Sequence, residues 1–432
     1  MSIPLDRLYN FLDSLCDRDV LIYRFFPHGS KKPEDLWPLN NVKGTIGSWY
    51  HNMTKPVMIC HDQEPLHYEL YQETKIAKIC ESILGSAETN QIRKTLHLRG
   101  LVIYHLNAYD YVLLCHSEKN SSELEKYIKH GFTGVYWWSH GIIARDWFRY
   151  AQHDLDLAFS PDQITHDFLI YNRSWSGTRE YRLKFAEQLV NTQIVKHCNT
   201  KFSAVDNQVH YTDHQWVNSE FVINRTDLQQ HFVNNTVDAR ASADYDAADY
   251  QTSGIEVVLE TLFDDQRWHL TEKSLRPIAC GKPFVLMATA GSLQYLRQYG
   301  FQTFDGLIDE TYDTVKDPAD RLQAVIAEMK RISDLPTPQK HALWAELNKI
   351  ARRNQELFFS DAWQRQLIQE FVDNANQALE FVSHHRTAQH WKKLMSIVKE
   401  PLSSTYRSAQ DVDNLLKWLD DHVPAKKIKY QG

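Results

Sequence analysis

Five short stretches of the chain carry residue types that could do chemistry. In Leu270-Thr-Glu-Lys-Ser-Leu-Arg-Pro-Ile-Ala-Cys-Gly-Lys-Pro-Phe284, Thr271 stands where a side-chain oxygen would cap a helix whose first turn holds Glu272, Lys273 and Ser274. A helix start offers unpaired N–H groups and the positive end of a dipole, which suits a phosphate. Lys273 would add a full positive charge, and Glu272 could accept hydrogen bonds from ribose hydroxyls. The same residues also describe an ordinary capped helix with a surface Glu and Lys. In Tyr171-Asn172-Arg173-Ser-Trp-Ser-Gly-Thr178-Arg179-Glu180-Tyr-Arg182, cations crowd a strand-to-helix turn. A cation in a first helical turn opposes the dipole, so stability alone does not favour Arg179 there. A bound anion would, because guanidinium forks pair with phosphate oxygens. An ion pair with Glu180 or a solvated side chain is the competing reading. His61-Asp62-Gln63-Glu64-Pro65 ends a short apolar run with two carboxylates, Asp62 and Glu64. They could serve as general bases or cap the helix that begins near Pro65. His116-Ser117-Glu118 repeats that layout, and Glu118 is a further base candidate. His140 and Arg145-Asp146 follow in Trp137-Trp-Ser-His-Gly-Ile-Ile-Ala-Arg-Asp-Trp147.

These residues need strands that end just before them. Val20–Phe25, Pro56–Cys60, Tyr111–Cys115, Gly134–Trp138, Phe168–Tyr171, Glu220–Asn224, Ile255–Thr261 and Pro283–Met287 are short β-rich runs. Helical stretches alternate with them: Leu66 to Ile83, from Ser121-Ser122-Glu123, from about Ile142, Thr178 to Val190, Thr271 to Gly281, and Ser292 to Tyr299 with Gly300 as its stop. Alternation of this kind predicts an α/β fold with parallel sheets covered on both faces. Ligands in such folds gather at the carboxyl ends of the strands. Residues 234–254, rich in Ala, Asp and Ser, read as a mobile surface loop, and residues 151–166 as the crossing between domains. From about Asp317 the chain is mostly helical. The domains expected are therefore 1–155, 160–335 and a helical region 336–432.

Leu270 to Phe304, together with Ile308-Asp-Glu-Thr-Tyr-Asp313, resembles the donor-binding half of GT-B glycosyltransferases, most closely the α-1,3-fucosyltransferase type. There a Tyr/Thr-Glu-Lys step opens a helix that leads to a Pro-Val/Phe strand. The chain is also similar to glycosyltransferase-like proteins of bacteriophages, which carry a "YNR…R…R" segment and an upstream "DQEP". Here these are Tyr171-Asn172-Arg173, Arg179 and Arg182, and Asp62-Gln63-Glu64-Pro65. The resemblance implies two Rossmann-like domains facing across a cleft, with a helical C-terminal extension packing back on both. It implies transfer of a sugar from a nucleoside-diphosphate donor to a hydroxyl acceptor, with inversion. Arg173, Arg179, Arg182, Thr271, Glu272 and Lys273 would bind the donor. Asp62, Glu64 or Glu118 would deprotonate the acceptor, beside His116, Ser117, His140 and Arg145. Pro277 departs from the pattern, because it removes a hydrogen bond inside the donor-side helix and should kink it.

Composition narrows the setting. With 432 residues, the chain has room for two or three domains of roughly 150 residues. Six scattered cysteines without a CxxC pair fit neither a disulfide framework nor a zinc ribbon, and suit a reducing compartment. No apolar run reaches the roughly 18 residues of a membrane span, and the start lacks a signal-peptide layout. The expectation is a cytoplasmic protein without membrane contact, in the host cytoplasm if phage-encoded. The Asp-x-Asp pairs at 17, 154, 244 and 411 are scattered, and the 21 histidines show no paired-ligand spacing, so a metal-independent reaction is expected, with no cofactor beyond the nucleotide sugar. Net charge −7 argues against generic coating of nucleic acid. The acceptor is then either a 5-hydroxymethylated pyrimidine in phage DNA, reached through a local basic groove, or a saccharide. The rival reading is a non-catalytic nucleotide- or carbohydrate-binding protein with a GT-B-like fold.

Overall fold

The computed structural model describes residues 21–24, 57–61, 64–71, 112–129, 132–234 and 243–399. They fall into two compact units, one within Leu5–Ser139 and Leu367–Gly432, the other within His140–Gln366. The first crossing thus lies earlier than the expected 151–166. The 3-10 turns Ala151–His153 and Leu155–Leu157 are anchored in the second unit: Gln355 Nε2 reaches the Ala151 carbonyl at 3.4 Å and Arg352 the Leu157 carbonyl at 3.0 Å. The helical region expected at 336–432 is likewise shared between the units, dividing at Gln366.

In the first unit, strands β1 (Leu21–Arg24), β2 (Val57–His61), β3 (Val112–His116) and β4 (Thr133–Tyr136) lie side by side in chain order, all parallel. Helix α1 (Tyr68–Tyr71) follows β2, and α2 (Ser122–Lys129) joins β3 to β4. Beyond β4, the Trp137 indole donates to the Leu367 carbonyl at 2.9 Å and packs on Phe371, and Asn374 donates to the Tyr136 carbonyl at 2.8 Å.

The second unit opens with α3 (Ser139–Trp147), whose first residue still belongs to the other unit. It continues through β5 (His166–Asn172), α4 (Tyr181–Asn191), β6 (Cys198–Phe202), the hairpin of β7 (Val205–Asp206) and β8 (Val209–His210), and β9 (Val233–Asn234). Then come α5 (Ala247–Gln251), β10 (Ser253–Leu259), α6 (Glu272–Ala279), β11 (Phe284–Met287), α7 (Ser292–Gln298), α8 (Pro318–Ser333) and α9 (Thr337–Phe359). Helix α10 (Asp361–Lys399) begins here and runs on past the unit boundary. The sheet order is β11-β10-β5-β6-β9, all parallel. Strand β10 is buried along its whole length, as a parallel strand covered on both faces must be. The chain steps outward from β5 to β6 and β9, then returns to the other side of β5, so the winding reverses between β5 and β10. The α/β class with parallel sheets is as expected from the alternation. Among the described residues, no helix is long and apolar enough to cross a membrane.

Three local expectations fail for identifiable reasons. Residues 220–224 form no strand; a 3-10 turn (Ser219–Phe221) and a loop stand there, and the Asn224 and Arg225 amides donate to the buried Glu187 carboxylate at 2.8 and 3.2 Å instead of to a ladder. Residues 234–254 are not all loop, because Asp246 caps α5 through the Ala248 and Asp249 amides and Tyr250 is buried. Strand β6, Cys-Asn-Thr-Lys-Phe, is too polar to announce itself, yet Thr200 and Phe202 alternate into the core. Gly254 shows how tightly the layers meet, since a Cβ there would overlap the Trp344 indole of α9.

A buried polar network ties the layers together. Arg276 of α6 pairs with Glu256 of β10 at 2.5 Å, and Tyr250 of α5 donates to the same carboxylate. The Arg276 guanidinium lies 4.4 Å from the centre of the Tyr171 ring of β5, whose hydroxyl donates to Asp249 at 2.9 Å. Asp249 in turn accepts from Asn199 at 2.9 Å and pairs with Lys201 at 3.1 Å, both on β6. Removing one partner of a buried pair strands the other charge away from water. Arg276→Met should therefore cost about 3–5 kcal/mol in urea unfolding, and the double variant Glu256→Leu/Arg276→Met should recover much of that loss.

Candidate functional site

The carboxyl ends of β5 and β10 form the organised end of the second unit. Glu260, the first residue after β10, has no solvent exposure. Its carboxylate accepts from the Thr271 amide at 2.9 Å and hydroxyl at 2.8 Å, the Ser274 amide at 3.2 Å and hydroxyl at 2.5 Å, and the Thr261 amide at 3.1 Å. Thr271 is the N-cap of α6, as expected, and its hydroxyl oxygen accepts from the Lys273 amide at 3.4 Å. The expectation that this helix start holds its amides open for a phosphate is corrected. The protein supplies its own anion there, in Glu260, and Thr271 is committed to it.

What remains at the start of α6 is carried by side chains. Lys273 Nζ lies 2.8 Å from Glu272 Oε1 and 3.2 Å from Thr271 Oγ1. Glu272 is buried, with Oε2 3.7 Å from His140 Nδ1, and the His140 ring meets His269 edge-on at 5.2 Å. Burial pushes the Glu272 carboxyl up, but Lys273 and His140 outweigh it and hold the group below its ordinary range. His140, expected on the acceptor side, stands beside Glu272, which is expected to bind the donor.

The three arginines of the other cluster separate into different roles. Arg182 is buried and donates to the Ser174 carbonyl at 2.5 Å, the Leu259 carbonyl at 2.6 Å and the Glu260 carbonyl at 2.9 Å. It clamps the ends of β5 and β10 and forms the floor between them, so its assignment to an open donor site is corrected. Tyr181 adds a hydroxyl donor to the Glu260 carbonyl at 2.7 Å, and Thr178 one to the Thr261 carbonyl at 3.0 Å. Arg173 is half-buried and makes no hydrogen bond or ion pair among the described residues. Arg179 is half-buried in the 3-10 turn Gly177–Arg179. Its proposed partner Glu180 is turned elsewhere, accepting from His214 at 2.7 Å and from the Val217 and Asn218 amides at 2.8 Å each. The loop carrying Arg173 is held by Asp206 of the β7–β8 hairpin, which accepts from the Ser174 hydroxyl at 2.9 Å and the Trp175 and Ser176 amides at 2.9 and 2.8 Å.

Asp313, the end of the second quoted motif, does for α7 what Glu260 does for α6. Its carboxylate accepts from the Leu293 amide at 3.1 Å, and its carbonyl from the Gly291 amide at 2.7 Å. Burial outweighs those donors and pushes its carboxyl up to about 6.

In the first unit, Asp62 lies outside the described residues, and Glu64 is half-buried after β2. Glu118 is buried with both oxygens engaged, by the Leu66 amide at 2.5 Å and the Ser121 hydroxyl at 2.5 Å; the latter's oxygen also takes the Leu124 amide of α2 at 3.1 Å. That is a loop-fixing carboxylate, which disfavours Glu118 as a base. Ser117 is buried beside it. His116 ends β3 in register with His61 of β2, and burial, then the His61 charge, push its imidazole down to about 3. It is therefore neutral at physiological pH. Arg145, in the second unit, is not an acceptor-side group; it donates to the Phe358 carbonyl at 2.7 Å and the Ser360 carbonyl at 2.9 Å and closes the C-terminus of α9. The one cluster among the described residues with metal-ligand spacing is His67, Glu69 and Glu123, on the surface, and Lys126 already pairs with both carboxylates at 2.5 and 2.8 Å.

Glu260 falls within the run Ile255–Thr261 expected as a strand, so that pattern alone does not single it out. Its signal was an acidic residue ending an apolar run eleven positions before a helix cap. Glu260→Ala leaves the buried donors of Thr271 and Ser274 without a partner and should cost at least about 3 kcal/mol in denaturant unfolding. Asp313 yields a pH test. Because its folded pKa lies above the unfolded value of about 3.9, the folded state binds the extra proton, and stability falls as pH rises from about 4 to about 6. Asp313→Asn should flatten that fall by about 1–3 kcal/mol, measured as urea midpoints across this range. Compared with protein-family models, with characterised proteins and with solved structures, the chain matches none.

Proposed function

We propose that the chain is a GT-B-type glycosyltransferase and that the His140–Gln366 unit binds the diphosphate of a nucleoside-diphosphate sugar. The observation that carries this reading is the reversal of strand order between β5 and β10. In open parallel sheets, ligands settle at the carboxyl ends of the strands at such a point. Here the loop after β5 carries Arg173 and Arg179, and the segment after β10 leads to Glu272 and Lys273. With the Ser274 amide engaged by Glu260 and the Lys273 amide by Thr271, the diphosphate is held chiefly by side-chain cations. Lys273 and Arg173 are its principal partners, and Glu272 takes the ribose hydroxyls. In the ligand-free protein, Glu272 neutralises Lys273 at 2.8 Å, and donor phosphate competes for that ammonium.

Departure of a diphosphate needs cations that gain interaction as negative charge builds on the leaving oxygen, and Lys273 and Arg173 supply them without a metal. Attack by an acceptor hydroxyl needs a base. With Glu118 engaged in its loop, Asp62 and Glu64 take that role, and the product is inverted. The acceptor is a 5-hydroxymethylated pyrimidine in DNA or a saccharide. The first would require the base to be flipped out of the duplex.

Calorimetry against a panel of nucleoside diphosphates tests the donor site. Lys273→Ala and Arg173→Ala should each weaken the best ligand roughly tenfold or more, with the unfolding midpoint unchanged for Arg173→Ala. Failure of every nucleoside diphosphate to bind the wild-type protein would sink the proposal. Binding with no transfer of the sugar to a hydroxyl acceptor, and none to water, would leave the non-catalytic reading instead.

A further inference from the structure

Lys282 joins α6 to β11, at the amino end of the second unit's sheet and so opposite the residues described above. Its side chain is 5% exposed, and its ammonium makes no hydrogen bond or ion pair among the described residues. A second cation stands beside it. Arg352 of α9 has its Cδ 3.3 Å from where a Cβ on Gly281 would lie, and its guanidinium donates to Gln355 Oε1 at 2.8 Å and to the Leu157 carbonyl at 3.0 Å. Burial, and then the Arg352 charge, push the Lys282 ammonium down to about 8, with the Cys280 thiol acting weakly the other way. No carboxylate is among the groups that act on it.

Charges so far from water are ordinarily paired, because an isolated one is costly to bury. The negative end of the α6 dipole gives partial compensation. Its carbonyls, however, are largely spoken for: Ala279 accepts from Gln355 Nε2 at 2.7 Å, Ile278 from the Gly281 amide at 3.1 Å, and Pro277 from the Lys282 amide at 2.8 Å. Lys282 therefore keeps a buried charge near the half-exposed Arg352, and no acid acts on it. An oxyanion there would relieve the repulsion and take charge-assisted hydrogen bonds from the ammonium and from the guanidinium N–H groups that Gln355 and Leu157 leave over.

We propose that Lys282 and Arg352 form a binding site for a phosphate-type tetrahedral oxyanion at the amino end of this sheet, distinct from the donor site. The small residual exposure of Lys282 restricts the ligand to a free ion or to the terminal phosphate of a small monoester. The site does not depend on the glycosyltransferase reading, and a control separates the two.

The test is thermal unfolding of the full chain in sodium phosphate, against sodium chloride at matched ionic strength. Phosphate should raise the wild-type midpoint by several degrees. Lys282→Met, which removes the buried charge, should unfold at a higher temperature than wild type in chloride and lose the response to phosphate. Arg352→Met should bind phosphate roughly tenfold more weakly in calorimetry, which carries the test if Lys282→Met fails to fold. Lys273→Ala should keep a phosphate-dependent rise that the double variant Lys273→Ala/Lys282→Met loses, which assigns that rise to this site and not to the donor site. Glycerol phosphate run in parallel distinguishes the sources: a larger shift than inorganic phosphate names a monoester, a smaller one the free ion. No phosphate-specific rise in wild type, or a rise that survives Lys282→Met, would overturn the proposal.

Discussion

The second unit depends on a carboxylate buried where a strand ends. A parallel strand delivers its chain into a loop whose amides have lost the ladder, and the helix that follows begins with amides that have no partner within it. Water could satisfy these groups, but not at a place with no exposure. Glu260 satisfies them from inside, gathering the amides and hydroxyls of Thr271 and Ser274 onto one side chain. The position of Lys273 and Glu272 follows, because both stand on the turn that this carboxylate anchors.

The device recurs. Glu118 binds a loop amide and a helix-capping serine in the first unit, Asp313 holds the start of α7, and Glu180 and Glu187 gather amides from the segment that follows the β7–β8 hairpin. Buried carboxylates therefore do at these turns the work that ladder and helix hydrogen bonds do elsewhere. Arginines are the counterpart. Arg182 and Arg145 use their forked donors on carbonyls at strand and helix ends, where a lysine could not span two or three acceptors.

This economy explains what was readable in the sequence. Runs such as Val112–His116 and Ser253–Leu259 read as strands because burial on both faces selects mostly apolar side chains, and Thr271 marks a helix start through its capping chemistry. The polar residues did not announce their tasks. An Arg or Glu beside a strand end looks the same whether it awaits a ligand or already holds a carbonyl or an amide, and only the distances separate Arg173 from Arg182, or Glu272 from Glu260. Strand β6 was hidden for the opposite reason: its Asn and Lys pair with Asp249 across the sheet, a partner fifty residues away in the case of Asn199.

The grip of Asp206 on residues 174–176 ties the arginine loop to a distant part of the chain. The loop that bears Arg173 is held at Ser174 by Arg182, eight residues on, and also by a carboxylate some thirty residues downstream, brought near by the pairing of β6 with β5 and by the hairpin. Contacts of that span carry a loop-closure cost that must be met before they return anything. The arginine loop thus depends on the β5–β6 pairing and on the hairpin, so a change in that hairpin reaches the groups assigned to the ligand without touching them.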